Sequence, residues 1–185
     1  MIHLNPIIIY SMLTLLWVWY RGHRYLQRKR YFHFLREFIL NAFFVYLLAV
    51  SYVTMEPFYF TNEIAIDGAI RFDTHLFYNL LHMAEGYIVL KLLYTVGNIL
   101  LFVPLGMFIP YLFKHTNHFL VILLLGFFSS LTIELIQMFF TPTRLATVDD
   151  LFFNTTGAII GYLLFVILRT SYYKTIQLVR KSTRV

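Results

Sequence analysis

Seven side chains with acid, amide or guanidinium chemistry stand out in the second half of the sequence: Asn98, Glu134, Gln137, Arg144, Asp149, Asp150 and Asn154. Carboxylates accept hydrogen bonds, act as bases and bind hard cations. Amides donate and accept, and an arginine grips phosphate or carboxylate in a planar fork. Their spacing is helical. Gly126, Ser130, Glu134 and Gln137 recur at steps of four, four and three, and Asp150, Asn154, Gly157 and Gly161 at four, three and four. Each set therefore shares one helix face. Gly157 and Gly161 form a GxxxG step suited to close helix approach. Phe102, Pro104 and Gly106 form an FxPxG pattern in which a proline removes one backbone bond and bends the axis, so these four glycine and proline positions (Pro104, Gly106, Gly157 and Gly161) read as architecture. Asp150 has two readings. Thr147, three residues before it, makes a capping box, so Asp150 is either a cap or part of a site. Asp149 lies in the same first turn, where the helix dipole favours an acid.

The elements that hold these residues are set by hydrophobicity. Of 185 residues, 59% are hydrophobic and only 13% charged, against roughly a quarter charged in a soluble domain. A water-exposed surface built from so few charges would carry wide apolar patches, so lipid is the expected solvent. The formal charge of +6 does not point to nucleic acid, because the basic residues sit in short runs between apolar segments. The chain has no cysteine, which removes disulfides, thiol nucleophiles and thiolate metal sites. An all-α, polytopic membrane fold with about five transmembrane helices follows, since a crossing takes about 20 mostly apolar residues. The expected spans run from about Leu4 to Tyr20, Phe38 to Met55, Leu92 to Phe113, Phe119 to Phe140 and Leu151 to Leu168. The first has no basic region before it and no small-residue cleavage signature after it, so it is expected to remain as a helix.

Basic residues are retained on the cytoplasmic side of short loops. With the N-terminus outside and the C-terminus inside, twelve of the fifteen Lys and Arg lie inside, leaving only Arg71, Lys91 and Arg144 outside. The run Arg21 to Arg36 is read as fixing topology; the alternative is that, as a juxtamembrane basic cluster, it also attracts anionic headgroups. Between the second and third spans, Leu76, Phe77, Leu80 and Leu81 fall at helical spacing and suggest an amphipathic helix on the outer leaflet. His82 and Glu85 there are a turn apart, but one pair cannot complete a metal shell, and no metal is expected. Residues 1–185 read as a single membrane domain.

Glu134 is an ionisable group inside a span, which is costly and therefore a functional suspect. It lies roughly 10 Å below the outer surface at 1.5 Å per residue. Asn98 and Asn154 fall at a similar depth. Three helices thus bring polar groups to one level, and Arg144 in the adjacent loop is placed to reach Glu134, Asp149 or Asp150. The plain alternative is a buried hydrogen-bond network that clamps the helices. Interhelical hydrogen bonds average well under about 1 kcal/mol, and one or two suffice for register, so seven groups at one level favour a polar pocket open to the outside.

These residues carry a resemblance. The stretches NILLFVPLG from Asn98, IELIQ from Ile133 and RLATVDDLFFNTTGAIIG from Arg144 resemble the VanZ-like family, and the Glu56-Pro57-Phe58 corner is similar to the family's usual approach to its third helix. Residues 92–168 form the core of the likeness. The resemblance implies low-level resistance to teicoplanin-type lipoglycopeptides, without remodelling of the peptidoglycan precursor, in a multi-pass protein of the bacterial cell membrane. The expected partners are membrane lipid and a lipoglycopeptide or lipid-linked envelope precursor, engaged as an amphiphile by Asn98, Glu134, Gln137, Arg144, Asp149, Asp150 and Asn154. No cofactor and no nucleic acid are expected. The alternative is a membrane-embedded hydrolase or transferase acting on a lipid-linked substrate. Glu134 would then be a general base, with Asp149 and Asp150 holding a cation or a second proton. Adjacent acids on a helix point about 100° apart, which makes a two-carboxylate metal site awkward. No serine elbow, HExxH or phosphate loop is present, and no inverted repeat supports a transporter.

Overall fold

The computed structural model describes residues 6–27, 34–55, 72–82, 87–140 and 146–182. They form α1 (Pro6–Gln27), α2 (Phe34–Met55), a two-residue strand β1 (Phe72–Asp73), α3 (Tyr78–His82), α4 (Ile88–Leu112), a 3-10 turn (Lys114–Thr116), α5 (Phe119–Phe140), a second two-residue strand β2 (Ala146–Thr147) and α6 (Val148–Ser182). The two strands pair with each other. Four helices are long and apolar enough to cross a membrane: Phe34–Met55, Ile88–Leu112, Phe119–Met138 and Val148–Ser182. Their outer faces carry large apolar side chains, among them Leu93, Val89, Leu120 and Phe128. In water such faces would be an aggregation liability, whereas in lipid they are the natural surface. The all-α membrane class follows. The first helix is as long as the second, at 22 residues, but its last two turns carry Arg21, His23 and Arg24.

Several boundaries differ from the hydropathy reading, for identifiable reasons. The last helix continues 14 residues past the expected end at Leu168, because Arg169–Ser182 contains no Gly or Pro to stop it. At 35 residues it is about 52 Å long, well beyond a 30 Å hydrocarbon core. The helix expected between the second and third spans starts later than its pattern suggested. Its described residues are Tyr78–His82, because Phe77 takes a positive φ of 59° and Leu76 and Phe77 form a turn before it. A bulky residue in the left-handed region cannot belong to a right-handed helix.

Two compact units divide the chain, and each is held by its own contacts. One comprises α1, α2 and the last turns of α5 from Leu135 onward; the other runs from Asp73 to Glu134 and resumes at Thr147. In the first unit α1 and α2 form an antiparallel pair. Tyr10 meets Ser51 at 3.2 Å, the Trp17 indole N–H donates to Asn41 at 2.9 Å, and Arg21 pairs with Glu37. Trp17 also stacks on Phe44 with ring centres 4.4 Å apart. The contacts run in opposite sequence order along the two helices, as an antiparallel hairpin requires.

In the second unit α4 packs backbone to backbone against α6, and glycine is what permits it. A Cβ built on Gly157 would lie 2.1 Å from the Ile99 carbonyl oxygen, one on Gly161 2.0 Å from that of Val103, and one on Gly106 2.0 Å from that of Ala158. No side chain fits at those distances, so the GxxxG step and the FxPxG glycine are packing positions on facing helices. The α4 helix continues through Pro104 and Pro110.

Candidate functional site

The polar stripe of α5 is a buried face. Ser130, Glu134 and Gln137 are all buried, together with Ile122, and Gly126 lies against Ala158 of α6. Glu134 is only 1% exposed. An isolated carboxylate cannot be kept there without hydrogen-bond donors. The Glu134 Oε2 accepts the backbone N–H of Thr147 at 2.9 Å. Thr147 immediately precedes α6, so the acid is held at the positive end of that helix, where dipole and unpaired amides favour an anion.

The capping box forms by half. The Asp150 backbone N–H donates to the Thr147 hydroxyl at 3.1 Å, which closes the first turn of α6 as the Thr147–Asp150 spacing predicts. The reciprocal bond is replaced: the Thr147 N–H goes to Glu134. That leaves the Asp150 carboxylate to accept from the Asn98 side-chain amide of α4. Tyr94, one turn before Asn98 on α4, brings its hydroxyl 3.3 Å from the Thr147 hydroxyl and also meets Asp150. Sequence reasoning passed over Tyr94, although its four-residue step to Asn98 placed both on one face.

Asp149 and Asp150 diverge, as neighbours on a helix must. Asp149 is buried and its carboxylate accepts the Phe77 backbone N–H at 2.6 Å. The Phe77 ring packs edge-on against Phe152 at 5.2 Å and lies 5.7 Å from Phe153. Together these contacts pin the segment before α3 onto the first turns of α6 and hold Phe77 in its unfavourable backbone state. Among the described residues no group of three or more His, Asp or Glu side chains gathers as a metal ion would need.

One turn below Asp150 on α6, Asn154 donates from its amide nitrogen to the Ser130 hydroxyl of α5 at 2.9 Å, and both residues are buried. Asn98, Glu134, Asp149, Asp150 and Asn154 are thus gathered within one unit, around the start of α6, by contributions from α4, α5 and α6. Gln137 belongs to the other unit. Its amide donates to the Thr54 carbonyl at 2.7 Å, in the last turn of α2, where the helix itself supplies no donor. Arg144, Glu85 and the Glu56-Pro57-Phe58 corner lie outside the described residues.

Apolar spanning helices around buried acids and amides at one helix start define an all-helical membrane protein with a polar centre inside its helix packing. The chain belongs to the VanZ/LLP1 family, whose family model matches residues 43–169 and so takes in every one of these site positions. Comparison with curated proteins and with solved structures gives no match.

Proposed function

We infer that this protein sits in the bacterial cell membrane with its N-terminus outside and α1 as a fifth span, and that the polar centre at the start of α6 faces outward and engages an amphiphile. The amphiphile is the acyl-bearing headgroup of a teicoplanin-type lipoglycopeptide or a lipid-linked envelope molecule, and its engagement gives low-level resistance. One observation carries the reading. Glu134 is an acid buried almost completely inside an apolar helix, and its carboxylate is positioned by the end of a second helix rather than neutralised by packing among apolar groups. Clamping helices together needs only neutral donors and acceptors such as Ser130 and Asn154. A buried carboxylate adds cost that structure alone does not recover. Asn98, Asp149, Asp150 and Asn154 join it from neighbouring turns of the same unit as the residues proposed to meet the amphiphile. An amphiphile in the outer leaflet can present its headgroup there while its chain stays in the bilayer.

The test is teicoplanin susceptibility of a sensitive bacterium expressing the wild-type chain or Glu134→Gln, with equal membrane insertion checked for both. The wild type is expected to protect and the variant to lose protection. Undiminished protection by Glu134→Gln would refute the site, and protection abolished by a metal chelator would move the reading towards the hydrolase or transferase.

A further inference from the structure

Asn154 makes only half of the contacts its amide offers. The nitrogen is spent on Ser130, but the carbonyl oxygen, Oδ1, is buried and has no hydrogen-bond partner among the described residues, with the residue as a whole only 3% exposed. Buried acceptors in proteins are nearly always paired, and within a lipid-facing helix bundle bulk water does not supply the missing donor. Packing does not require this oxygen. A residue that only tied α6 to Ser130 needs one donor, and the Asn154 amide nitrogen already provides it. The oxygen is an acceptor that the described protein leaves for something else.

Its position says what that something is. Asn154 lies one turn, about 6 Å, further into the span than Asp150, and Ser130 lies one turn further in than Glu134. The carboxylates of Glu134 and Asp150 stand at the start of α6, and Asn154 lies one turn further along that helix, in the stretch where Phe153, Gly157 and Ala158 are also buried. A molecule with its headgroup at the carboxylates and its chain in the bilayer would bring to Asn154 the atoms that join head to chain.

We propose that Asn154 is a specificity-determining contact whose side-chain carbonyl accepts a hydrogen bond from an N–H or O–H donor at the head-to-chain junction of the bound amphiphile. This rests on the outward-site reading above and narrows its ligand to amphiphiles with a junction donor, such as N-acyl rather than ester-linked molecules. Ser130 is a positioning residue, since its hydroxyl accepts from the Asn154 amide nitrogen and so fixes the amide.

Two probes that differ only at the junction test this on the full chain in nanodiscs: N-(2-hydroxyethyl)dodecanamide, with an amide N–H, and 2-hydroxyethyl dodecanoate, its ester counterpart. Affinities are read after subtraction of binding to empty nanodiscs. The amide is expected to bind about tenfold more tightly, the size of preference one well-made neutral hydrogen bond supports. Asn154→Leu, which keeps the volume and removes the acceptor, is expected to bind the two probes with equal affinity, the advantage of the amide being lost. Its folding is checked separately by circular dichroism and melting temperature, and a folded variant that binds neither probe overturns the proposal, because the residue would then hold the whole ligand rather than discriminate its junction. Equal binding of the two probes by the wild type overturns the proposal and leaves the amphiphile reading standing. Binding of neither overturns both. A preference for the amide that persists in Asn154→Leu overturns it too, because the donor would then be met elsewhere.

Discussion

Replacing Gly161 by alanine should separate α4 from α6, and the structure sets the scale. The new Cβ would sit 2.0 Å from the Val103 carbonyl oxygen and 2.9 Å from its carbon. Close carbon-to-oxygen contacts between helices run at about 3.3 to 3.6 Å, so the backbones must part by more than about 1 Å. The obstructing atom belongs to helical backbone, and no side-chain rotation can relieve it. Overpacking of this kind costs up to about 3 kcal/mol, while alanine in a helix recovers about 1 kcal/mol relative to glycine, leaving a net loss of ~2 kcal/mol. Gly97 supplies the control from the same pair of helices. Nothing lies within 4 Å of a Cβ built there, so Gly97→Ala keeps only the propensity gain and should be about 1 kcal/mol more stable than wild type. Thermal unfolding of both variants in one detergent, followed by circular dichroism and by size-exclusion after heating, should give melting temperatures on opposite sides of the wild type. Gly161→Ala melting at or above Gly97→Ala would refute the close-approach argument. The built Cβ of Gly161 also lies 3.1 Å from the Gly106 Cα, so Gly106→Ala and Gly161→Ala should combine non-additively.

Other residues give equally direct outcomes. Asp149→Ala removes the acceptor for the Phe77 N–H, a bond to a charged group worth about 1.5 to 3 kcal/mol; amide hydrogen exchange at residues 77 to 79 should accelerate by tenfold or more, whereas Asp149→Asn, which keeps an acceptor oxygen, should retain part of the protection. Thr147→Val deletes the hydroxyl that caps the Asp150 N–H while leaving the backbone N–H that meets Glu134, so it should cost about 1 kcal/mol in the same melting assay. Because the chain has no cysteine, single cysteines report topology without background: His75→Cys should react with a membrane-impermeant maleimide in intact cells and His115→Cys only after lysis, and the reverse pattern would invert the proposed orientation.

What could be read from the sequence follows from repetition along one helix. The buried side of α5 and the small-residue steps of α6 each arise from residues three or four apart, and a helix places those on one face whatever surrounds it. The all-helical membrane class is legible for the same reason: lipid leaves a polar backbone no option but to pair within its own segment. The choice of partner was decided by tertiary structure. Thr147 and Asp150 have capping-box spacing, yet the Thr147 N–H turns to Glu134, thirteen residues earlier, and the released Asp150 carboxylate is met by Asn98, fifty-two residues away. Likewise the Gln137 amide goes to the Thr54 carbonyl across a separation of 83 residues. Phe77 sits in a left-handed turn, against its own preference, because Asp149 and two phenylalanines of α6 hold it there. Hydrogen bonds are short-ranged and directional, so which of several eligible donors meets a given acceptor depends on where separate helices come to rest against one another, and no spacing along the chain encodes that.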